Sequence, residues 1–336
     1  MNTNLANILK LLLSLGLGAL IVWVTISKLD DRQTEIVKGV FGRADYFWVI
    51  AGPVIGMLSN VVRALRWQML LRSVGYDPKF SNVNYSVFVM YAGNLLFPRL
   101  GEVTRCSLLY KTDNVPVDKS IGTMVLERMV DMITMLLVGG LLFVFQYRLL
   151  FEFFQTQVLG NYSKNWDGMS AWTLAIAISG ILVSAVSFYA IYTFRDHRYL
   201  RGIWKFVSGF VEGLVAVRKL DRPFLFVFYS VLIWVMYFGM IFLCFRALPE
   251  TASLQVGAGM ACLFFGGFAF IVSQGGIGAY PATIGAVLLL YGVAYEVGFA
   301  FGWLVWSLQT AAVILCGVLS LLLISRNFNV SSEIKK

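Results

Sequence analysis

Long apolar segments separated by short charged connections dominate the hydropathy pattern of the chain. Six of these segments contain roughly 20 or more residues, enough for a helix to cross a hydrocarbon core about 30 Å thick. The pattern therefore predicts six membrane-spanning helices. They lie near 7–27, 46–71, 120–146, 171–193, 224–246 and 298–324.

Two further apolar stretches are too short or too interrupted to be ordinary spans. Tyr85–Phe97 has 13 residues and leads into the sequence Pro98-Arg99-Leu100-Gly101-Glu102. Gly257–Val272 has 16 residues, and a glycine-rich break separates it from the short apolar run Ala282–Val293. Broken helices are tolerated at membrane depth only inside protein or beside a water-filled cavity, so we expect two re-entrant hairpins.

The segments follow the same order in the two halves of the chain. Residues 7–146 contain two spans, a hairpin and a span, and residues 171–324 repeat this order from the opposite side of the membrane. We therefore predict an all-α polytopic membrane protein, with one membrane domain over 1–336 built from two inverted repeats. In transporters of this design, interrupted segments meet at a binding site near the midplane.

Composition supports a membrane protein and excludes a soluble enzyme. Of the 336 residues, 59% are hydrophobic and only 13% are charged, and the mean hydropathy is +0.76. A soluble domain is about half apolar and a quarter charged. The net charge of +9 would suggest a nucleic-acid partner in a soluble protein. Here most basic residues lie between or near apolar runs, so we expect no nucleic-acid binding and interpret them as topology signals.

The distribution of basic residues predicts the orientation. With both termini in the cytoplasm, 15 Lys and Arg residues fall on the inner side and six on the outer side. This asymmetry follows the positive-inside rule for a multi-pass protein of a bacterial-type cytoplasmic (inner) membrane. The inner connection 195–222 alternates apolar and basic residues at roughly helical spacing, which is typical of an amphipathic segment on the membrane surface.

Eight charged residues lie within or beside the apolar segments, where a charge costs a few kcal/mol or more. Because five of them are arginines and three are carboxylates, we interpret the surplus as a site for phosphate, which the planar guanidinium binds bidentately. A self-neutralising structural network is the alternative. The residues are Arg63, Arg66, Arg99, Glu102, Arg105, Glu127, Arg128 and Asp131.

The second break contains Gly275, Gly276 and Gly278. Glycines permit a tight turn and a close approach of backbone N–H groups to an oxyanion, although a plain turn is equally compatible with the pattern. No P-loop, G-x-S-x-G or H-E-x-x-H sequence is present, and the four cysteines show no metal-ligand spacing. We therefore predict no catalytic residue, no metal site and no cofactor.

Four sequence strings together resemble the lysylphosphatidylglycerol synthase transmembrane-region family, also called flippase-like, over nearly the whole chain. The combination of P-R-x-G-E with E-R-x-x-D at this separation is a specific feature of the resemblance to this family, whereas the glycine turn alone would not be. The strings are Arg63-Ala-Leu-Arg66-Trp67, Gly93-Asn94-Leu-Leu-Phe-Pro98-Arg99-Leu-Gly101-Glu102-Val-Thr-Arg105, Glu127-Arg128-x-x-Asp131 and Gln274-Gly275-Gly276-Ile-Gly278.

The resemblance implies a lipid-handling membrane module without the soluble aminoacyltransferase domain, because the chain ends about a dozen residues after its last span. It is also compatible with a homodimer. Family members often have a proline before the glycine pair and a glutamate after Gly278. This chain has Ser273-Gln274 and Tyr280-Pro281 there, which removes the acidic residue expected in the second half.

Our leading hypothesis is a flippase or scramblase for an anionic phospholipid or a lipid-linked (polyprenyl) phosphate. The arginines, together with Asn94 and the glycine turn, would contact the head group, and the carboxylates would position the arginines or exchange protons. We expect Arg99→Ala to lower lipid translocation without loss of fold. Two alternatives are a membrane-embedded lipid-phosphate transferase with Glu127 or Asp131 as base, and a non-transporting partner that delivers lipid to a separate lipid-modifying enzyme.

Overall fold

The computed structural model of the protein describes residues 30–96, 100–153 and 220–333, with isolated positions 23, 27 and 218. The predicted spans 7–27 and 171–193, and most of the amphipathic segment 195–222, lie outside these ranges. The chain divides into two compact units, one comprising 1–145 with 220–336 and the other 146–219.

Helices are the only regular elements in the described ranges, which agrees with the predicted all-α class. Short 3₁₀ turns at Phe245–Ala247 and Gln274–Gly276 connect some of them. The helices are α1 (Asp31–Arg43), α2 (Tyr46–Ser73), α3 (Phe80–Leu96), α4 (Leu100–Asp113), α5 (Val117–Phe153), α6 (Pro223–Cys244), α7 (Pro249–Ala252), α8 (Val256–Val272), α9 (Ala279–Leu289) and α10 (Tyr295–Glu333).

Four helices are long and apolar enough to cross a membrane: α2, α5, α6 and α10. They confirm the four predicted spans that fall within the described residues. Large apolar side chains on their outer faces are mostly exposed, including Phe224 at 90% and Phe145 at 75%. An exterior of this kind suits contact with lipid chains, because the exposure of so much apolar surface to water is unfavourable.

The first break lies between α3 and α4, which pack against each other. Gly93 and Gly101 face each other across this contact, and a Cβ atom on Gly101 would overlap the carbonyl oxygen of Met90. The side-chain oxygen of Asn94 accepts a 3.0 Å hydrogen bond from the Gly101 N–H at the start of α4. Glycine at 101 and asparagine at 94 therefore allow the two short helices to approach closely and satisfy a terminal N–H group.

The second break separates α8 from α9 at the predicted glycine turn. Gly275, Gly276 and Gly278 have φ angles of +60°, +77° and +70°, in the left-handed region that side chains with a Cβ adopt at a cost. Both predicted interruptions are thus breaks between two short helices. Helix α3 begins before the apolar run Tyr85–Phe97, so it is longer than predicted. Helix α9 begins and ends earlier than the apolar run Ala282–Val293 does.

Helices α2 and α6 pack antiparallel, with the Asp45 N–H donating to the Ala247 carbonyl at 2.9 Å where α2 begins and α6 has just ended. Small residues make this contact close, since a Cβ on Gly52 would overlap the Cys244 sulfur. Gly298 and Gly302 of α10 play the same part against α9, next to Gly285 and Pro281. Gly52 and Gly56 of α2, and Gly298 and Gly302 of α10, thus each form a small-xxx-small pair that packs against other helices of the chain.

Candidate functional site

Seven of the charged residues singled out in the sequence come together where α2, α4 and α5 meet. We call this group the arginine cluster. Arg99 lies outside the described residues. On α2 the i, i+3 spacing and on α5 the i, i+4 spacing place each set on one helical face. The cluster comprises Arg63, Arg66, Glu102, Arg105, Glu127, Arg128 and Asp131.

Arg63 bridges the two carboxylates of α5. Its Nη1 atom lies 2.7 Å from Glu127 Oε1 and 2.5 Å from Asp131 Oδ2. Its Nη2 atom donates to the hydroxyl of Tyr237 on α6 at 3.1 Å. The side chain is only 3% exposed, so these partners replace nearly all of its hydration.

Arg66, one turn further along α2, is fully buried. Its Nη2 atom lies 2.7 Å from Asp131 Oδ1 and 3.5 Å from Glu127 Oε1. Its Nη1 atom donates to the Ser230 hydroxyl on α6 at 3.2 Å. The two arginines of α2 thereby join α5 to α6 through charge-assisted hydrogen bonds.

Arg105 connects α4 to the same carboxylate from the other side. Its Nη2 atom donates to Glu127 Oε2 at 3.0 Å, and its guanidinium carbon lies 3.8 Å from the ring centroid of Trp67. The Trp67 indole N–H in turn donates to the Thr123 hydroxyl at 3.0 Å. A cation held over an indole face gains further stabilisation when it is desolvated, and Arg105, Trp67 and Glu127 are all fully buried.

Arg128 is held differently from the other arginines. Its side chain is 39% exposed, and its nearest carboxylate atoms are Glu102 Oε1 at 3.5 Å and Asp131 Oδ2 at 3.9 Å. Glu102 is itself 24% exposed. These separations exceed those of a good charge-assisted hydrogen bond. The Nη2 atom donates weakly to the Met90 sulfur at 3.7 Å, and the buried Nε atom has no hydrogen-bond partner, so the guanidinium of this partly exposed side chain keeps unused donor capacity.

The buried part of the cluster has more positive than negative charge. Arg63, Arg66 and Arg105 face only Glu127 and Asp131, which leaves one positive charge uncompensated among the described residues. Several buried guanidinium nitrogens also lack a hydrogen-bond partner there, including both Nε and Nη1 of Arg105. The Arg128 and Glu102 pair adds no net charge, so the whole described cluster has a net charge of +1.

Helix α6 supplies neutral partners that sequence reasoning did not identify. Besides Ser230 and Tyr237, the hydroxyl of Tyr91 on α3 lies 3.5 Å from that of Tyr237. The signal for α6 was available in the sequence. Ser230, Trp234 and Tyr237 follow i, i+4, i+7 spacing, which places polar groups on one face of an otherwise apolar helix.

The two helix breaks touch each other. The Gln274 side-chain amide donates to the Asn94 carbonyl at 2.5 Å, and the Trp306 indole N–H donates to the Gly275 carbonyl at 2.7 Å. A Cβ on Gly275 would lie 2.9 Å from the Leu95 side chain. The Gly276 N–H donates back to the Ser273 carbonyl, so this amide is used within the turn.

Within the described ranges, no group of three His, Cys, Asp or Glu side chains is arranged to hold a metal ion. The four cysteines are free thiols, and three of them are buried. Within the described part of the chain, the charged groups of the cluster pair with one another.

The chain belongs to the family of the lysylphosphatidylglycerol synthase TM region, whose family model matches residues 7–327. It is 28% identical over 130 residues to glycosyltransferase AglD of Haloferax volcanii, which covers 38% of this chain and 21% of AglD. It is 24% identical over 178 residues to the UPF0104 membrane protein MJ1595 of Methanocaldococcus jannaschii, covering 48% of this chain and 51% of that protein. The matches therefore span about a fifth and a half of the two relatives. No solved structure matches the chain.

Proposed function

We propose that this protein is a lipid flippase or scramblase that moves an anionic phospholipid or a lipid-linked phosphate between the leaflets of the cytoplasmic membrane. Membership of a family described by a lipid-synthase membrane region supports the proposal. So does the repeated order of a long helix, a broken helix pair and a long helix over 46–153 and 223–333. In this proposal the two helix pairs are re-entrant hairpins in inverted repeats.

The observation that carries the proposal is the net positive charge of the arginine cluster. A purely structural network gains most when its charges balance, because an uncompensated buried charge is costly. Here the buried arginines leave one positive charge uncompensated, and the more exposed Arg128 lies beside their shared partner Asp131. A phosphate at this position would complete the neutralisation through bidentate hydrogen bonds.

The proposal gives different roles to different members of the cluster. Arg63, Arg66 and Arg105 with Glu127 and Asp131 hold α2, α4 and α5 together and set the local positive field. Arg128 binds the head-group phosphate, with Glu102 as its partner when no lipid is bound. Asn94 and the glycines Gly275, Gly276 and Gly278 form the contact between the breaks, and movement at this contact admits the head group. Arg99 adds a further positive charge beside the first break.

The test is leaflet exchange of fluorescent lipids in proteoliposomes. The full chain is compared with protein-free vesicles for three lipids: phosphatidylglycerol, phosphatidylcholine and a polyprenyl phosphate. We expect exchange of at least one of the two anionic lipids to be faster than exchange of phosphatidylcholine. Exchange at the protein-free rate for all three lipids, with the protein shown to be folded, would overturn the proposal.

A second candidate function is the delivery of lipid to a separate enzyme without transport. The similarity of part of this chain to part of a protein named a glycosyltransferase favours it. Under this proposal the protein binds anionic lipid but does not speed its exchange between leaflets. Affinity purification of the tagged chain should then recover a lipid-modifying enzyme in stoichiometric amount, and Arg128→Gln should retain that partner while losing bound lipid. Recovery of the chain alone would contradict it.

A further inference from the structure

A cavity of about 340 Å³ lies between the C-terminal end of α2 and the N-terminal end of α6. Arg72 from α2 and Arg222 from the start of α6 line it, together with Gln68 and Tyr229. By the count of basic residues, this end of both helices is the cytoplasmic one. The cavity is separate from the face of Arg128 that the proposed function uses.

The charged groups that line the cavity form few ion pairs with the rest of the described chain. Arg72 uses its Nε atom for an ion pair with Asp77 at 2.7 Å, in which both side chains are more than half exposed. Arg222 makes no ion pair within the described part of the chain, and the side chains there provide no cap for the N-terminus of α6. Asp221 also lines the cavity, so the two guanidinium groups are matched by two carboxylates, Asp77 and Asp221, both of them exposed to solvent.

Apolar side chains form part of the cavity wall beside the buried Gln68. Leu65, Met69 and Leu225 line it and are half-buried. A cavity lined by two exposed arginines and by half-buried leucine and methionine side chains is complementary to an amphiphile, whose phosphate remains near water while its first methylene groups are desolvated. Free inorganic phosphate would gain nothing from the apolar wall.

The cavity is adjacent to the arginine cluster along both helices. Leu65 lines the cavity, and the next residue, Arg66, is buried in the cluster. Tyr229 lines it as well, and the next residue, Ser230, accepts the hydrogen bond from Arg66. A lipid head group held here would therefore lie beside the residues that hold α2, α5 and α6 together.

We infer that this cavity is a cytoplasmic-side binding site for an anionic glycerophospholipid, with Arg72 and Arg222 binding the phosphate and Leu65 and Leu225 contacting the upper part of the acyl chains. The inference rests on the proposed function for the fate of that lipid, which would pass from this site to the cluster. The binding itself is independent of transport.

The experiment measures binding to the purified full chain in detergent by native mass spectrometry or thermophoresis. The probes are dioctanoyl phosphatidylglycerol, dioctanoyl phosphatidylcholine and inorganic phosphate. The test variant combines Arg72→Gln with Arg222→Gln, and the matched control is Arg32→Gln, an exposed arginine of α1. We expect the double variant to bind phosphatidylglycerol about tenfold or more weakly, as for the loss of two charge-assisted contacts, and the control to bind it normally.

Two further comparisons test the amphiphile and the location. Leu225→Trp fills the apolar wall and should weaken phosphatidylglycerol binding while leaving both arginines in place. Inorganic phosphate should not compete at millimolar concentration. Unchanged phosphatidylglycerol affinity in both cavity variants would overturn the inference, and so would phosphate binding as tight as lipid binding. Selective binding that the double variant loses, in a protein that exchanges no lipid, would support the site and contradict the flippase proposal.

Discussion

The two halves of the molecule have the same order of helices but very different chemistry. All seven residues of the arginine cluster come from α2, α4 and α5, in the first half. Helices α6, α8 and α9 of the second half contain no charged residue at all. They contribute hydroxyl, amide and indole groups. Charges in apolar segments are tolerated where they largely neutralise one another, which agrees with their occurring together in the first half of the chain.

The two helix breaks differ in the same way. The first is closed by a side chain, with Asn94 accepting from the Gly101 N–H. The second is closed by backbone turns at glycines with positive φ, and is held in place by Gln274 and Trp306. A break beside charged residues and a break beside neutral ones thus satisfy their backbone groups by different means.

The largest effect should come from Glu127→Gln. This change leaves Arg63, Arg66 and Arg105 facing Asp131 alone, and removing one partner of a buried ion pair costs about 3 to 5 kcal/mol. Thermal unfolding in detergent should show a large loss of stability. The control is Glu35→Gln in the exposed pair with Lys38, which should cost less than about 1 kcal/mol. Equal unfolding temperatures for the two variants would contradict the role assigned to Glu127.

A smaller effect is expected from Gly101→Ala at the first break. The added Cβ would overlap the Met90 carbonyl oxygen, and overpacking of this kind costs about 1 to 3 kcal/mol. Gly122→Ala is the matched control, since a Cβ at that helical position contacts nothing within 4 Å. Thermal unfolding should separate the two variants. If Gly101→Ala were as stable as Gly122→Ala, α3 and α4 would not be in this close contact.

The contact between the breaks should contribute less. Gln274→Ala removes the donor to the Asn94 carbonyl, and the net contribution of one such hydrogen bond is about 1 kcal/mol. Hydrogen exchange measured by mass spectrometry should show faster exchange at residues 273–279 in this variant, with residues 60–70 of α2 unchanged. Equally faster hydrogen exchange in both regions would contradict this local role, because it would mean that the contact stabilises the whole fold.

The smallest change in stability should follow Arg128→Gln. This arginine is 39% exposed and its carboxylate partners lie at 3.5 and 3.9 Å, so we expect its ion pairs to contribute less than about 1 kcal/mol. The unfolding temperature should remain close to that of the unaltered protein. A loss of stability as large as that of Glu127→Gln would place Arg128 in the buried network.

Hydropathy alone predicted four helices that the structure describes and both interruptions, because span length and glycine or proline breaks are local properties of the sequence. It also singled out all seven members of the cluster, because a charge in an apolar run is conspicuous. The pairing could not be predicted. Which acid Arg63 reaches depends on how α2 packs against α5, and the involvement of Tyr91 and Tyr237 depends on tertiary contacts. The division between buried arginines and an accessible one likewise became visible only in three dimensions.

In the proposed function, one partly exposed arginine, beside a buried group that keeps one uncompensated positive charge, selects anionic lipid. The most direct measurement is the ratio of phosphatidylglycerol to phosphatidylcholine exchange rates in proteoliposomes for Arg128→Gln and Arg128→Lys, beside the unaltered protein. We predict that the ratio falls towards one in Arg128→Gln and is partly retained in Arg128→Lys, while the folded fraction stays the same. An unchanged ratio in well-folded Arg128→Gln would contradict the account.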